Sequence, residues 1–131
     1  MEEFYREIII DHYKNPRFKG VLEEKNFSFE DDNPLCGDFL HIDIQTDETN
    51  VITDARFSGN GCAISIASAD LLIEALIGRS IDDVKKMNKQ DILDMLGIEL
   101  SPLRLKCALL SLKVAKAAVF YLLESDDTIV E

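Results

Sequence analysis

Three cysteines, Cys36, Cys62 and Cys107, offer the most distinctive chemistry in this sequence. The thiolate form of cysteine is both a sulfur nucleophile and a soft metal ligand, so three thiols converging from different elements would make a metal site or a persulfide site. No two of them form a C-x-x-C pair, and spacing alone matches no short metal motif. Their contexts say more. Cys36 follows Asn33-Pro34 and precedes Gly37, Cys62 follows Gly59-Asn60-Gly61 where a helix should begin, and Cys107 falls in the early turns of the last expected helix. The unpaired N–H groups of a helix N-terminus favour a thiolate. Asp38 stands close to Cys36 in sequence, and a carboxylate can serve as fourth ligand to zinc or iron, completing a tetrahedron with three thiolates. The competing reading is that the cysteines are small buried hydrophobes, a common environment for unbridged thiols.

The elements that must position these residues follow from patterning. Residues 3–14 place Phe4, Ile8, Ile9 and Tyr13 at near-helical spacing, and Asn15-Pro16 stops the helix before a basic turn, KNPRFKG. Phe27 and Phe29 alternate in a short strand; Leu40, Ile42 and Ile44 alternate in a second. After the turn TDETN, a third strand sets Val51, Thr53, Ala55 and Phe57 on one face until SGNG breaks it. The small and apolar run from Cys62 to Gly78 suits a largely buried helix. Ser80 reads as the N-cap of a short helix, residues 89–96 as another ending at Gly97, and Ser101-Pro102 as the N-cap and N1 of a final helix reaching about Glu124. On that helix Ala108, Leu112, Ala115, Val119 and Leu122 share a face, with Lys106, Lys113 and Lys116 on another.

Bulk properties narrow the function classes. A chain of 131 residues with 47% hydrophobic residues is expected to form one domain over 1–131, with a flexible acidic tail at about 125–131. Fourteen basic against 25 acidic side chains give a net charge of -11, which opposes nucleic-acid binding. No apolar stretch approaches the roughly 20 residues that span a bilayer, and the acidic start MEEFYREIII lacks the positive region of a signal peptide. The expectation is a cytoplasmic protein whose odd number of cysteines stays reduced.

Four segments together resemble the IscU/NifU-type iron-sulfur cluster assembly scaffolds, including the SufU branch: IIDHYKNPR at 9–17, NPLCGD at 33–38, FSGNGCAISIASAD at 57–70 and SPLRLKCALL at 101–110. They occur in family order across nearly the whole chain. The resemblance implies that Cys36, Asp38, Cys62 and Cys107 are the metal and cluster ligands, that Asp38 keeps the cluster labile, and that Cys107 carries a transient persulfide received from a cysteine desulfurase. It implies an α+β fold, a three-stranded antiparallel sheet with helices packed on one face. It also implies a scaffold rather than a turnover enzyme, which assembles a labile 2Fe-2S cluster and passes it to apo iron-sulfur acceptor proteins, with a homo-oligomer as a further option. The alternative within the resemblance is a zinc-dependent, SufU-like sulfurtransferase that relays persulfide sulfur; a purely structural zinc domain is the third.

Two departures bear on that choice. IscU proper has a histidine directly before its third cysteine, in an LPPVKHC-like segment, where this chain has Lys106, a poor metal ligand when protonated. The segment instead looks like SufU, yet the insertion typical of SufU between the second and third cysteines does not appear. Among other residues, His41 reads as an exposed strand residue, His12 as ordering the first helix and its following turn, Tyr5 as a partly buried helix aromatic, and Ser65 and Ser68 as close helix packing. Arg104 and Lys106 read equally as solvated charges or as stabilisers of a thiolate.

Overall fold

The computed structural model describes residues 2–34 and 37–124. Among them the chain forms α1 (Glu2–Lys14), β1 (Phe27–Asn33), β2 (Asp38–Thr46), β3 (Ile52–Asn60), α2 (Ala63–Leu76), α3 (Ile81–Lys86), α4 (Lys89–Leu96) and α5 (Pro102–Glu124). The expected tail at 125–131 lies outside the described residues. The strands make one antiparallel sheet in the order β1-β2-β3, and α2 and α5 pack on one face of it while α1, α3 and α4 pack against that helical layer. The expected α+β architecture is therefore the observed one.

Register fixes which residues enter the core. Phe29 lies opposite Ile42, and Ile42 opposite Phe57, so one apolar row crosses all three strands, with Phe27, Ile44 and Ala55 forming the next. These rows meet Leu72 of α2 and Val114, Ala115 and Ala118 of α5 in one continuous core. In β3 the observed pattern departs from the expected alternation. Thr46 pairs with Ile52 but Gln45 pairs with Asp54, so a β-bulge inserts Thr53. The extra residue reverses the phase: Ile52 is buried, Thr53 is exposed, and Val51 is only half-buried. Ala55 and Phe57, beyond the bulge, face inward as expected.

The first helix is also rotated from its expected face. Phe4 and Tyr13 are exposed, whereas Ile9 and His12 are buried and Tyr5 is half-buried. Two contacts account for the rotation. His12 is drawn inward by the buried Asp70 of α2, Nδ1 to Oδ2 at 2.5 Å, and Gly97 leaves room for the Tyr5 ring, which a Cβ there would meet at 2.3 Å. Asp70 also accepts the backbone N–H groups of Arg17 and Phe18, each at 2.9 Å. The turn after α1 is thus tied to α2, the ordering role expected of His12.

Helix α2 is buried nearly all round, since β3 and α5 lie on one side and α1 and α4 on another. That enclosure explains its lack of a polar face. Helix α5 is likewise buried over much of its surface, and its lysines do not form one solvated stripe: Lys113 pairs with Asp31 of β1 at 2.9 Å, and Lys116 donates to the Met87 carbonyl at 2.6 Å. The expected starts hold. Ser80 and Asn88 each close a capping box, with Asp83 and Asp91, and the Ser101 hydroxyl accepts the Arg104 N–H at 3.3 Å.

Candidate metal and cluster site

Three elements end at one place beside the sheet. Asp38 opens β2, paired with Asn33 across the hairpin, and the Gly37 N–H donates to the Asn33 carbonyl at 2.8 Å. Cys62 is the N-cap of α2, in extended conformation. Cys107 sits early in α5 and is 1% exposed; Asp38 is 3% exposed and Cys62 half-buried. Gly59 makes the convergence possible. Its φ is +136°, and a Cβ there would lie 2.0 Å from the Phe39 carbonyl oxygen, so only glycine lets β3 cross this close to β2 before the turn into Cys62.

One ligand atom each from Asp38, Cys62 and Cys107 lies within 4.8 Å of the others. Ligands about 2.0–2.3 Å from one tetrahedral ion stand roughly 3.3–3.8 Å apart, so the spread needs only a small contraction to close on a metal. A carboxylate and two thiols are also a suitable donor set for zinc or iron. Cys36 lies outside the described residues. Its place in the set rests on its position in the sequence next to Gly37-Asp38.

Electrostatics around Cys62 favour the ligating form. Burial pushes its thiol pKa up, but the Ser65 hydroxyl and the N–H groups of Ser65 and Ile64 outweigh burial and the nearby Asp38 charge, holding the pKa below the ordinary thiol value.

Residues 4–126 match the family model described as NifU-like N terminal domain. The chain belongs to that family. Among curated relatives of this NifU-like domain, the zinc-dependent sulfurtransferase SufU of Bacillus subtilis is 35% identical, with 91% of each chain covered. The iron-sulfur cluster assembly scaffold protein IscU of Escherichia coli K12 is 36% identical over 88% of this chain and 91% of its own. A solved structure described as a putative iron-sulfur cluster assembly scaffold protein for the SUF system, from Fervidobacterium islandicum, superposes with a TM-score of 0.71 at 29% identity, covering 86% of this chain and 94% of that one. The alignment with the Bacillus protein runs over 136 positions while taking in 91% of a 131-residue chain, so SufU carries residues that this NifU-like domain lacks.

Ser65 joins the site, although its sequence context points only to close helix packing. Expected only to pack, it is fully buried, donates its hydroxyl to Asp38 Oδ2, and lies 3.5 Å from Cys62 Sγ. Its spacing from Cys62, three residues on within the first turn of α2, was the available signal, because an N-cap and the residue three after it face each other. The remaining candidates are not part of the donor cluster among the described residues. His41 is on the opposite face of the sheet and is half-buried rather than exposed, held between Glu30 at 2.9 Å and the fully buried Asp43 at 2.7 Å. Lys106 is exposed and lines a groove with Asp32, Pro34, Leu109 and Lys113 beside the β1–β2 hairpin. Arg104 is exposed. Among the described residues no helix is long and apolar enough to cross a membrane.

Proposed function

We propose that this NifU-like protein is an iron-sulfur cluster assembly scaffold. It receives sulfur from a cysteine desulfurase, holds a labile 2Fe-2S cluster as cargo on Cys36, Asp38, Cys62 and Cys107, and passes it to apo-proteins in the cytoplasm, residues 1–131 acting as one domain. The observation that carries the reading is the convergence of Asp38, Cys62 and Cys107 within 4.8 Å from three separate elements. The kinship with scaffolds of about this length supports it. On this reading the protein is a carrier rather than an enzyme. The three groups hold thiolate and carboxylate oxygen toward one point, the Cys107 thiolate takes the outer sulfur of the desulfurase persulfide and releases the desulfurase thiolate, and Asp38, a harder partner for a cluster than thiolate, favours release.

A second reading has its own support. The identity with a zinc-dependent sulfurtransferase and the presence of Lys106 before the third cysteine favour a resident zinc, held by the same residues, and persulfide relay to another scaffold. Anaerobic incubation with ferrous iron, cysteine, a desulfurase and a thiol reductant, which supplies the two electrons that take each sulfane sulfur to sulfide, distinguishes the two. Charge-transfer absorption followed by activation of an apo-ferredoxin supports the scaffold. Absence of both, with stoichiometric zinc and faster desulfurase turnover, supports the relay. Cys107→Ser that folds normally but accepts no sulfur would exclude a merely structural zinc.

A further inference from the structure

We infer that Ser65 is a positioning residue for the metal site, fixing the Asp38 carboxylate as a ligand. This rests on the metal-site reading above, common to scaffold and relay. Both oxygens of Asp38 are engaged from α2: Oδ1 accepts the Cys62 N–H at 3.2 Å, and Oδ2 accepts the Ser65 hydroxyl. Oδ2 is also the oxygen that faces the donor sulfur, 3.9 Å from Cys62 Sγ. A carboxylate oxygen has a second lone pair, so Ser65 can hold Oδ2 while that oxygen ligates an ion.

The surroundings permit this orientation and disfavour others. Gly61 brings the three groups together, since a Cβ on it would lie 3.0 Å from Ser65 Cβ and 3.1 Å from Asp38 Cγ. The Ser65 hydroxyl is enclosed, and its side chain touches both Asp38 and Cys62. Deleting the hydroxyl removes the oxygen donor on Oδ2, which loosens that oxygen's orientation toward the sulfurs while the Cys62 N–H still holds Oδ1. Ligand strength from Asp38 should then fall. Zinc, which uses carboxylate readily, should bind more weakly, while a cluster that loses its labilising ligand should persist longer, as it would without Asp38.

The test measures zinc affinity by competition with a chromophoric chelator, and the lifetime of the reconstituted cluster, for wild type, Ser65→Ala, Asp38→Ala and the double variant. We expect Ser65→Ala to weaken zinc binding about 10- to 100-fold, to lengthen cluster lifetime toward that of Asp38→Ala, and to add nothing in the Asp38→Ala background. A role in packing alone would loosen the whole site, shortening cluster lifetime and weakening zinc by the same factor with or without Asp38; either result overturns the inference. So would unchanged zinc affinity in Ser65→Ala beside tight wild-type binding. A wild type that takes up neither zinc nor cluster overturns the metal-site reading itself, and this inference with it.

Discussion

Asp38, at the start of β2, holds the N-terminus of α2 through Cys62: the Cys62 N–H donates to Asp38 Oδ1 at 3.2 Å. A strand residue thereby satisfies the N-cap N–H, which in a capping box is accepted by the side chain three residues into the helix. One carboxylate links the sheet to α2 and stands among the sulfur donors, so metal chemistry and fold stability share a residue.

Asp38→Ala should accordingly show two effects of different sign. Without metal, loss of the acceptor for the Cys62 N–H and for Ser65 should lower stability by about 1–2 kcal/mol, read as a lower midpoint in urea unfolding. In the reconstituted protein the cluster should last longer, followed by the decay of its visible absorption. An unchanged lifetime would remove the proposed releasing role of Asp38.

Gly59→Ala should damage the site without touching a ligand. Its φ of +136° strains any side chain, and the new Cβ would meet the Phe39 carbonyl oxygen at 2.0 Å, a backbone atom that cannot swing aside. The strands must separate at the point that delivers both Asp38 and Cys62. A cost of about 3 kcal/mol or more is expected, together with weaker zinc binding. Hydrogen exchange should rise first at the end of the β2–β3 ladder. Protection unchanged there would show that the crossing tolerates the methyl group.

How far the sequence carried depends on whether a contact is local. Ser80, Asn88 and Gly97 shape helix ends through neighbours a few residues away, and the starts and stops read from Ser80 and Gly97 are where the chain puts them. The strands were legible from alternation until the bulge at Thr53, which depends on pairing with Thr46 and leaves no mark in a single strand. The face of α1 could not be read because it is chosen by Asp70 and Gly97, far along the chain. At the site, the donor types were legible and their convergence was implied by resemblance. The role of Ser65 was marked only by its spacing from Cys62, since a buried serine in a small-residue helix otherwise looks the same whether it packs or donates.

His41 gives the chain a defined pH response away from the donors. Burial pulls its pKa down, but hydrogen bonds to Glu30 and Asp43 outweigh burial, and the net shift is upward from 6.5. Burial pushes Asp43 up, and the Leu22 N–H, the Ser28 hydroxyl and His41 together bring it below its usual 3.8. The folded state therefore binds the His41 proton more tightly than the unfolded chain does. That contribution is whole below about pH 6.5 and fades as pH rises through the raised folded value. The Asp43 contribution is whole above about pH 3.8 and fades as pH falls through the lowered one. Both act between these limits. His41→Gln should thus cost more at about pH 5.5 than at about pH 8.5 in urea unfolding. Equal losses at the two pH values would mean that the ring serves by shape alone.

Asp70 should be the most sensitive polar position outside the donor set. It is fully buried and takes three partners, the His12 ring and the N–H groups of Arg17 and Phe18. Asp70→Ala strands all three in or near the core, and the loss should approach 3 kcal/mol or more. Asp70→Asn keeps an acceptor for the N–H groups but loses one carboxylate oxygen facing His12, so its loss should be smaller. By contrast, Asp11→Ala removes exposed contacts, the pair with Arg17 at 2.7 Å and the Asn15 side-chain amide at 3.2 Å, and should cost far less than Asp70→Ala. Thermal melts of the three variants check the order. If Asp11→Ala proved as damaging as Asp70→Ala, the turn at 15–18 would be held from its exposed side rather than from α2.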